Sequence, residues 1–446
     1  MQWVLNGYLL SLAGLILVGS SLGDRHGRRR VYLIGVAAFG TTSALCAAAQ
    51  TPGELVALRV LQGAAAALLT PGALALIQSS FRAADRPAAI GTWAGYAGVA
   101  SALGPFLGGF LVENAGWRWI FALNVPLCLV VLWFGRSVPE SYDEEERAPF
   151  DVAGALTGTL ALAALTYLLT SWRALGVVPV LLLAVVVAAA GTAFVLLQRR
   201  PGAMAPVALF RSRVFTTANV MTFLVYGALG TVFFLVVLQL QVTAGYTPLE
   251  AGMATLPTTV CMLLFSSRSA VAAARVGPRF QLTFGPALCA LGVLLLAFIG
   301  PQASYVVHVL PGMVLFAVGL TMLVSPLTTA VLAAAPDRRA GVASGINNAV
   351  ARAGSLVALA ALPALVGLNG SDYQDPARLS DGFRTGLLLC SVMLLAGASV
   401  CWFGLRPAES GTEPREHQDG EDPELEWATD SEFDESGPGD AESMDP

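Results

Sequence analysis

The sequence predicts an all-α polytopic membrane protein with about thirteen transmembrane helices. Of its 446 residues, 55% are hydrophobic and only 12% are charged, and the mean hydropathy is +0.67. A soluble domain carries about 25% charged residues, so this chain lacks the charge to cover a water-facing surface. The composition therefore excludes a soluble enzyme, a nucleic-acid-binding protein and a disulfide-rich secreted scaffold.

Apolar stretches of about 20 residues predict the individual spans. The stretch at 177–197 is the clearest, because it contains no charged residue. Buried helices of a soluble protein are the alternative, but thirteen of them would leave no polar surface. The predicted spans lie near 2–22, 31–49, 54–79, 88–112, 117–136, 151–171, 177–197, 214–240, 250–267, 281–300, 304–334, 340–367 and 383–405.

The arginines predict the orientation of these spans. Nineteen of the 25 basic residues, all arginine, lie in one set of alternating loops and the C-terminal segment, and four lie in the opposite set. Because cytoplasmic loops are rich in basic residues, the first set is expected to face the cytoplasm. Arg59 and Arg352 lie inside spans. Residues 407–446 contain 15 of the 30 acidic residues, which predicts a disordered cytoplasmic tail.

The loop after the first span combines an acidic residue, a glycine and a run of arginines. A positive-inside anchor would explain the arginines, but not the acid and the glycine at their spacing. Such a loop can pair with neighbouring helix ends and hold a gate closed. The candidate gating residues are Leu22, Asp24, Arg25, Gly27, Arg28 and Arg29.

The third span carries Arg59, followed by Gln62 and Gly63. An arginine inside a membrane is costly and usually functional. Arg59 cannot lose its proton, but it can lower the pKa of a nearby carboxyl group and so assist a proton relay. An arginine that pairs structurally within the helix bundle is the alternative.

The fourth span is rich in glycine and contains a proline. Glycines on one face allow helices to approach closely, and proline kinks a helix. A generic packing helix would explain the small residues alone. The candidate residues are Gly91, Gly104, Pro105, Gly108 and Gly109.

Together these segments resemble the motifs of the major facilitator superfamily. Residues 20–30 are similar to its motif A, G-x-L-x-D-R-x-G-R-R, with Ser20 at the first glycine. Residues 59–63 resemble motif B, R-x-x-Q-G, and residues 91–109 resemble the antiporter motif C, with Ala100 at its second glycine. Residues 117–126 match the W-R-W-I-F-x-x-N-x-P signature of drug:proton antiporters.

Later segments are similar to the 14-span branch of these antiporters. Residues 238–257 resemble its Y-L-Q-x-x-x-G-x-S-P-L-x-A-G-x-x-x-L-P segment, 276–279 stand at its degenerate second motif A, and 343–354 resemble its penultimate helix. The branch implies two pseudo-symmetric helical halves, at 1–137 and 205–405, with two linker helices and cytoplasmic loops at 138–204 and a tail at 406–446. Candidates for the substrate path are Tyr8, Gln239, Asn347 and Asn348; amides that only hold helices together are the alternative.

Members of this branch begin with a helix that carries a D-x-T-x-x-N-x-A-L-P motif. This sequence begins at the opening of the second helix, with Gln2, Trp3 and Val4. We therefore expect the first helix and its carboxylate to be missing. A mis-set translation start or a fragment would explain their absence, and a natural thirteen-span transporter is the alternative. Arg59 would then lack the acidic partner that a buried cation needs.

The resemblance implies a secondary transporter that exports hydrophobic or amphipathic small molecules, such as drugs or antibiotics, in exchange for protons. Asp24 and Arg28 would gate, Arg59 would tune the proton site, and the helix of Gly104 and Pro105 would fix antiport geometry. The expected partners are substrate, protons and the lipid bilayer, without nucleic acid. The expected form is a monomer in the bacterial inner membrane with its tail in the cytoplasm.

No cofactor, metal or enzymatic activity is expected. The six cysteines show no metal-ligand spacing, and there is no P-loop motif that would bind ATP. Two alternatives remain: a transport-inactive or truncated relative that acts as a membrane scaffold or sensor, and a proton-coupled metabolite exporter or importer.

Overall fold

The structure is a computed structural model that describes residues 2–82, 85–141, 151–173, 175–200, 203, 205–334, 340–368 and 370–405. In these residues the chain forms fifteen α-helices, joined by short turns, two 3-10 helices and one π-helical turn. The helices are α1 (Gln2–His26), α2 (Arg28–Ala48), α3 (Pro52–Ser80), α4 (Arg86–Asn114), α5 (Arg118–Ala122), α6 (Asn124–Gly135), α7 (Val152–Ser171), α8 (Val177–Leu197), α9 (Arg213–Val242), α10 (Pro248–Ala254), α11 (Leu256–Val276), α12 (Pro278–Leu296), α13 (Leu310–Ala333), α14 (Ala340–Leu365) and α15 (Pro376–Gly404). The predicted acidic tail at 406–446 lies outside the described residues.

These helices account for the thirteen predicted spans. Eleven helical segments of the described chain are long and apolar enough to cross a membrane. The other two predicted spans correspond to α1 and α4, which have 25 and 29 residues. The fold class predicted from the sequence is therefore confirmed, and the chain is a multi-pass membrane protein.

Two predicted spans are not single helices. The span predicted at 117–136 consists of α5 and α6, which meet at Leu123, and the span predicted at 250–267 is interrupted at Thr255 between α10 and α11. Each interruption precedes a proline, Pro126 or Pro257. Proline has no amide hydrogen to donate to the preceding turn, so each helix restarts there.

Several helices begin where a side chain caps the first turn. Thr51 and Glu54 form a capping box at the start of α3, and Thr247 and Glu250 form one at the start of α10. Asp375 accepts hydrogen bonds from the first amides of α15. These caps satisfy amide groups that have no partner within the helix, and they use acidic residues that lie near span ends.

The packing is unequal along the chain. The largest cluster of buried side chains comes from residues 209–405, where α9 packs against α14 and α15, and α12 packs against α13 and α15. In the first part of the chain α1 packs against α3, α7 and α14. Gly63 allows the close approach of α1 and α3, because a Cβ atom there would overlap the Ser11 hydroxyl and the Tyr8 carbonyl.

Candidate functional site

The guanidinium of Arg59 lies between α1 and α3 with its hydrogen bonds already formed. Its Nε donates to the Val4 carbonyl at 3.0 Å, and a terminal nitrogen donates to Gln62 Oε1 at 2.6 Å. The guanidinium carbon also lies 4.1 Å from the centre of the Tyr8 ring. A cation above an aromatic face is attracted to the ring. Arg59 is therefore stabilised by neutral groups of α1 and α3.

Gln62 continues this network into α2. Its side-chain amide donates to the Ser43 hydroxyl at 2.5 Å, and the residue is only 1% exposed. The motif B residues predicted from the sequence, Arg59, Gln62 and Gly63, are thus brought together with Tyr8, which had been predicted for the substrate path. The geometry favours the structural alternative for Arg59, since these contacts tie together α1, α2 and α3.

The candidate gating loop is a sharp turn between α1 and α2. Gly27 has φ = 103°, a conformation that favours glycine. Its position is packed, because a Cβ atom there would lie 2.7 Å from the carboxyl carbon of Glu140. Leu22 is half-buried and Arg25 is exposed. The side chain of Asp24 is not among those that the structure describes.

Glu140, which the sequence analysis did not single out, holds this turn. Its carboxylate accepts hydrogen bonds from the backbone amides of Arg29 at 2.9 Å and Arg30 at 3.1 Å. The Arg29 guanidinium donates to the Val138 carbonyl at 2.8 Å, and the Arg28 amide donates to the Ser141 carbonyl at 3.0 Å. A carboxylate at a helix N-terminus is favoured by the helix dipole, so this segment fastens α2 to the end of α6.

The predicted antiporter helix, α4, contacts the second part of the chain through Gly109. A Cβ atom at Gly109 would lie 2.6 Å from the Pro248 carbonyl oxygen, and Glu113 accepts a hydrogen bond from the Leu249 amide at 3.3 Å. At Gly104 and Gly108 no described atom lies within 4 Å of such a Cβ. The chain is helical at Gly91 and on both sides of Pro105, whose side-chain surroundings are outside the described part.

A cavity of ≈ 340 Å³ lies between α4 and the helices α9, α13 and α14. Its α4 residue, Trp93, lies near the beginning of that helix, whereas Gly109 and Glu113, which meet α10, lie near its end. The lining residues are Trp93, Tyr226, Thr328, Val331, Ser344, Asn347, Asn348, Ala351, Arg352 and Ser355. The cavity thus lies between α4 and three helices of the second part of the chain, and α4 also contacts α10 near its other end.

Of the amides predicted for the substrate path, Asn347 and Asn348 line this cavity. The Asn347 amide donates to Thr222 Oγ1 at 2.8 Å and to Asn219 Oδ1 at 3.3 Å, which fixes α14 against α9. Gln239 is elsewhere: it is fully buried and donates to the Ile299 carbonyl at 2.9 Å. Its geometry favours the alternative of an amide that holds helices together.

Trp93 and Tyr226 are cavity residues that the sequence analysis did not single out as a site. Each is one aromatic residue among many in apolar runs, so its spacing gives no signal. The amides Asn347 and Asn348 and the intramembrane position of Arg352 were the features of the sequence that pointed to this cavity.

A membrane-spanning bundle of two helical halves, with a partly polar cavity between them, is the architecture of a secondary transporter. The sequence model of the Major Facilitator Superfamily matches residues 1–359 of this chain. The chain belongs to this superfamily, as its motifs indicated.

Proteins similar to this chain include resistance and export proteins. The chain is 34% identical over 366 residues to the multidrug resistance protein Stp of Mycobacterium tuberculosis (strain CDC 1551 / Oshkosh). The aligned region covers 81% of this chain and 68% of Stp. It is also 34% identical over 377 residues to the tetracenomycin C resistance and export protein of Streptomyces glaucescens. That alignment covers 82% of this chain and 68% of the export protein.

The fold is also similar to a solved transporter structure. The crystal structure of the POT family transporter PepTSo superposes with a TM-score of 0.66 at 16% sequence identity, and covers 90% of this chain and 88% of that one. At this identity the similarity concerns the fold alone.

Proposed function

We propose that this protein exports drugs or other hydrophobic or amphipathic small molecules by alternating access. The observation that carries the proposal is the cavity between α4 and α9, α13 and α14, together with the contact of α4 and α10 beyond it. A site at the interface of two halves can be exposed to each side in turn when the halves rock against one another. The names of the two resistance proteins support an outward direction of transport.

The proposal extends to the driving force, the gate and the orientation. Export is coupled to proton entry without a cofactor, and the protein acts as a monomer in the bacterial inner membrane. The turn at Gly27 lies at the cytoplasmic end, where Glu140 accepts hydrogen bonds from the Arg29 and Arg30 amides. These hydrogen bonds, called here the Glu140 clasp, break when the transporter changes between its inward-open and outward-open states. The excess of arginine in that set of loops supports this orientation.

A transport-inactive membrane scaffold is the second candidate function, and one observation favours it. The acidic side chains described near span ends are engaged locally: Glu54 and Glu250 in capping boxes, and Glu113 with the Leu249 amide. None of these three lies near the middle of a helix, where a carboxylate that carries protons through the membrane is expected.

Transport into everted membrane vesicles separates the two functions. Vesicles that contain the full-length protein are given tetracenomycin C and then energised so that their interior becomes acidic. We expect uptake that stops when nigericin collapses the pH gradient, and no uptake by vesicles without the protein. Absence of gradient-dependent uptake by folded protein would contradict the proposal and favour the scaffold.

A further inference from the structure

A stripe of polar side chains runs along the cavity face of α14. Ser344, Asn348, Arg352 and Ser355 follow one another at intervals of four, four and three residues. In an α-helix this spacing places side chains on one face, and all four line the same cavity. The stripe therefore brings a positive charge into the cavity.

Arg352 lies near the middle of the membrane-spanning part of α14. It is 12 residues from Ala340 and 13 from Leu365, at the two ends of the helix, so it is about 18 Å from one end and about 20 Å from the other at 1.5 Å per residue. A charged side chain at this depth is costly and typically faces a cavity that contains its partner.

The structure gives Arg352 no partner among the described side chains. Ion pairs in the described part of the chain are formed by Arg378 with Asp372 and Asp375, and no hydrogen bond of the Arg352 guanidinium is found among the described residues. Arg59 differs, because a carbonyl, an amide oxygen and an aromatic ring surround it. Of these two intramembrane arginines, Arg352 is the one that can bind a ligand.

Among the described residues that line the cavity, no side chain supplies a negative charge. These ten residues include one cation and no acid. Their amides are partly engaged, since Asn347 donates to α9 and Asn348 donates to the Ser344 carbonyl at 3.1 Å. A cationic ligand would therefore meet a like charge without compensation, whereas an anionic ligand would pair with Arg352.

Two aromatic side chains complete the cavity. Trp93 projects from α4, and Tyr226 comes from α9. Both α9 and α14 are held in close contact at this level, because a Cβ atom at Gly227 would lie 3.0 Å from the Gly354 carbonyl oxygen. Aromatic rings bind the apolar body of a ligand, while a guanidinium donates to a carboxylate or a phenolate.

We propose that this cavity binds an amphipathic organic anion, with its carboxylate or phenolate at Arg352 and its apolar body against Trp93 and Tyr226. The volume of ≈ 340 Å³ suits a small ligand. The proposal rests on the proposed transport function and narrows its substrate class to anions. The headgroup of an anionic lipid has the same charge, so the experiment must separate a lipid from a soluble ligand.

Three fluorescent probes that differ only in their head group test the proposal. The purified full-length protein, in vesicles of phosphatidylcholine, is titrated with 1-pyrenebutyrate, 1-pyrenebutanol and 1-pyrenebutylamine in the absence of a proton gradient. We expect the carboxylate to bind at least about tenfold more tightly than the alcohol, because a hydrogen-bonded charge pair contributes at least that much. The amine should bind most weakly.

Substitution of Arg352 identifies the residue responsible. Arg352→Gln should abolish the preference for the carboxylate, and Arg352→Lys should retain part of it. Arg268 provides a matched control, because it is exposed and donates to the Leu264 carbonyl of its own helix; Arg268→Gln should bind as the unchanged protein does. Equal binding of the three probes, or a carboxylate preference that survives in folded Arg352→Gln, would overturn the proposal.

Vesicles that also contain phosphatidylglycerol distinguish the two sources of the anion. Bound 1-pyrenebutyrate should remain when about one lipid molecule in five is replaced by phosphatidylglycerol. Its displacement by this lipid would assign the site to a lipid headgroup and overturn the substrate assignment. Because binding is measured without a gradient, intact anion binding together with failed vesicle uptake would contradict the transport function alone.

Discussion

Arg59 and Arg352 show how differently two arginines within one bundle can be used. The Arg59 guanidinium is held by the Val4 carbonyl, Gln62 and the Tyr8 ring, in contacts that join α1 to α3. Arg352 lies on the face of α14 that lines a cavity. Both are costly in a membrane, so at this scale the neighbouring acceptors decide whether a charge supports the fold or is available to a ligand.

At the residue scale, Gln62→Ala is predicted to lower the free energy of unfolding by about 1.5 to 3 kcal/mol, the range for hydrogen bonds to charged groups. The substitution removes the acceptor of Arg59 and the donor to Ser43. Unfolding in mixed micelles titrated with sodium dodecyl sulfate measures the change.

Gln374→Ala is the matched control, because Gln374 is exposed and such substitutions change stability by less than about 0.5 kcal/mol. Equal stability of the two variants would show that the contacts of Gln62 do not stabilise the bundle.

At the scale of elements, α4 contacts α10 through Gly109, the last glycine of its glycine-rich segment. Gly109 lies against the backbone of Pro248 and Leu249, whereas Gly108 has open space among the described atoms. The preceding Gly104 is similarly open. Among the described glycines Gly104, Gly108 and Gly109, the close contact is therefore made by the last one.

Gly109→Val is predicted to loosen the contact between α4 and α10, because the new side chain would overlap the Pro248 carbonyl. Overpacking costs about 1 to 3 kcal/mol, so the population with this end closed should fall fivefold or more. Disulfide formation between Glu113→Cys and Leu249→Cys reports the contact, and its yield should fall accordingly.

The adjacent substitution Gly108→Val adds the same side chain where no described atom lies within 4 Å. It should leave the cross-linking yield unchanged. A similar loss of yield in both variants would mean that the effect comes from helix distortion rather than from the contact at Gly109.

At the scale of the whole molecule, burial is concentrated in one part of the bundle. The main buried cluster comes from residues 209–405, and the cluster of the first part consists of Leu12, Ile16, Ala66 and Ala67. The span α8 has most of its surface free of protein contacts, with 6% of its most apolar window buried, against 50% for α9. Most of α8 is therefore available to lipid, whereas other helices cover about half of the most apolar part of α9.

This asymmetry predicts unequal local stability. In detergent micelles, amide hydrogens of α9 and α15 should exchange more slowly than those of α8, because local opening of a buried helix exposes more packed surface. Hydrogen exchange followed by mass spectrometry compares peptides from these helices. Faster exchange in α9 than in α8 would contradict the prediction.

The sequence also predicted one feature that relates the two halves. Residues 276–279 resemble a degenerate second copy of the loop that contains Gly27. Gly277 separates α11 from α12 with φ = 87°, as Gly27 separates α1 from α2 with φ = 103°. Both turns follow from local backbone preference, so they were predictable without knowledge of the packing.

The clasp by Glu140 was not predictable in this way. The carboxylate meets the Arg29 amide across 111 positions of sequence, and nothing near Glu140 in the chain indicates that partner. The sequence pointed to the arginines of the loop, and the folded chain supplied the acceptor.

By itself, the sequence determined that this protein is a helical membrane protein of the Major Facilitator Superfamily, because hydropathy, charge bias and turn-forming glycines are local properties of a chain. Only the tertiary structure decided that Arg59 is enclosed by α1 and α3, that Gln239 is buried, and that Arg352 faces a cavity. The physical reason is that such roles depend on the rotation and packing of helices distant in sequence, which fix the atoms that each side chain meets.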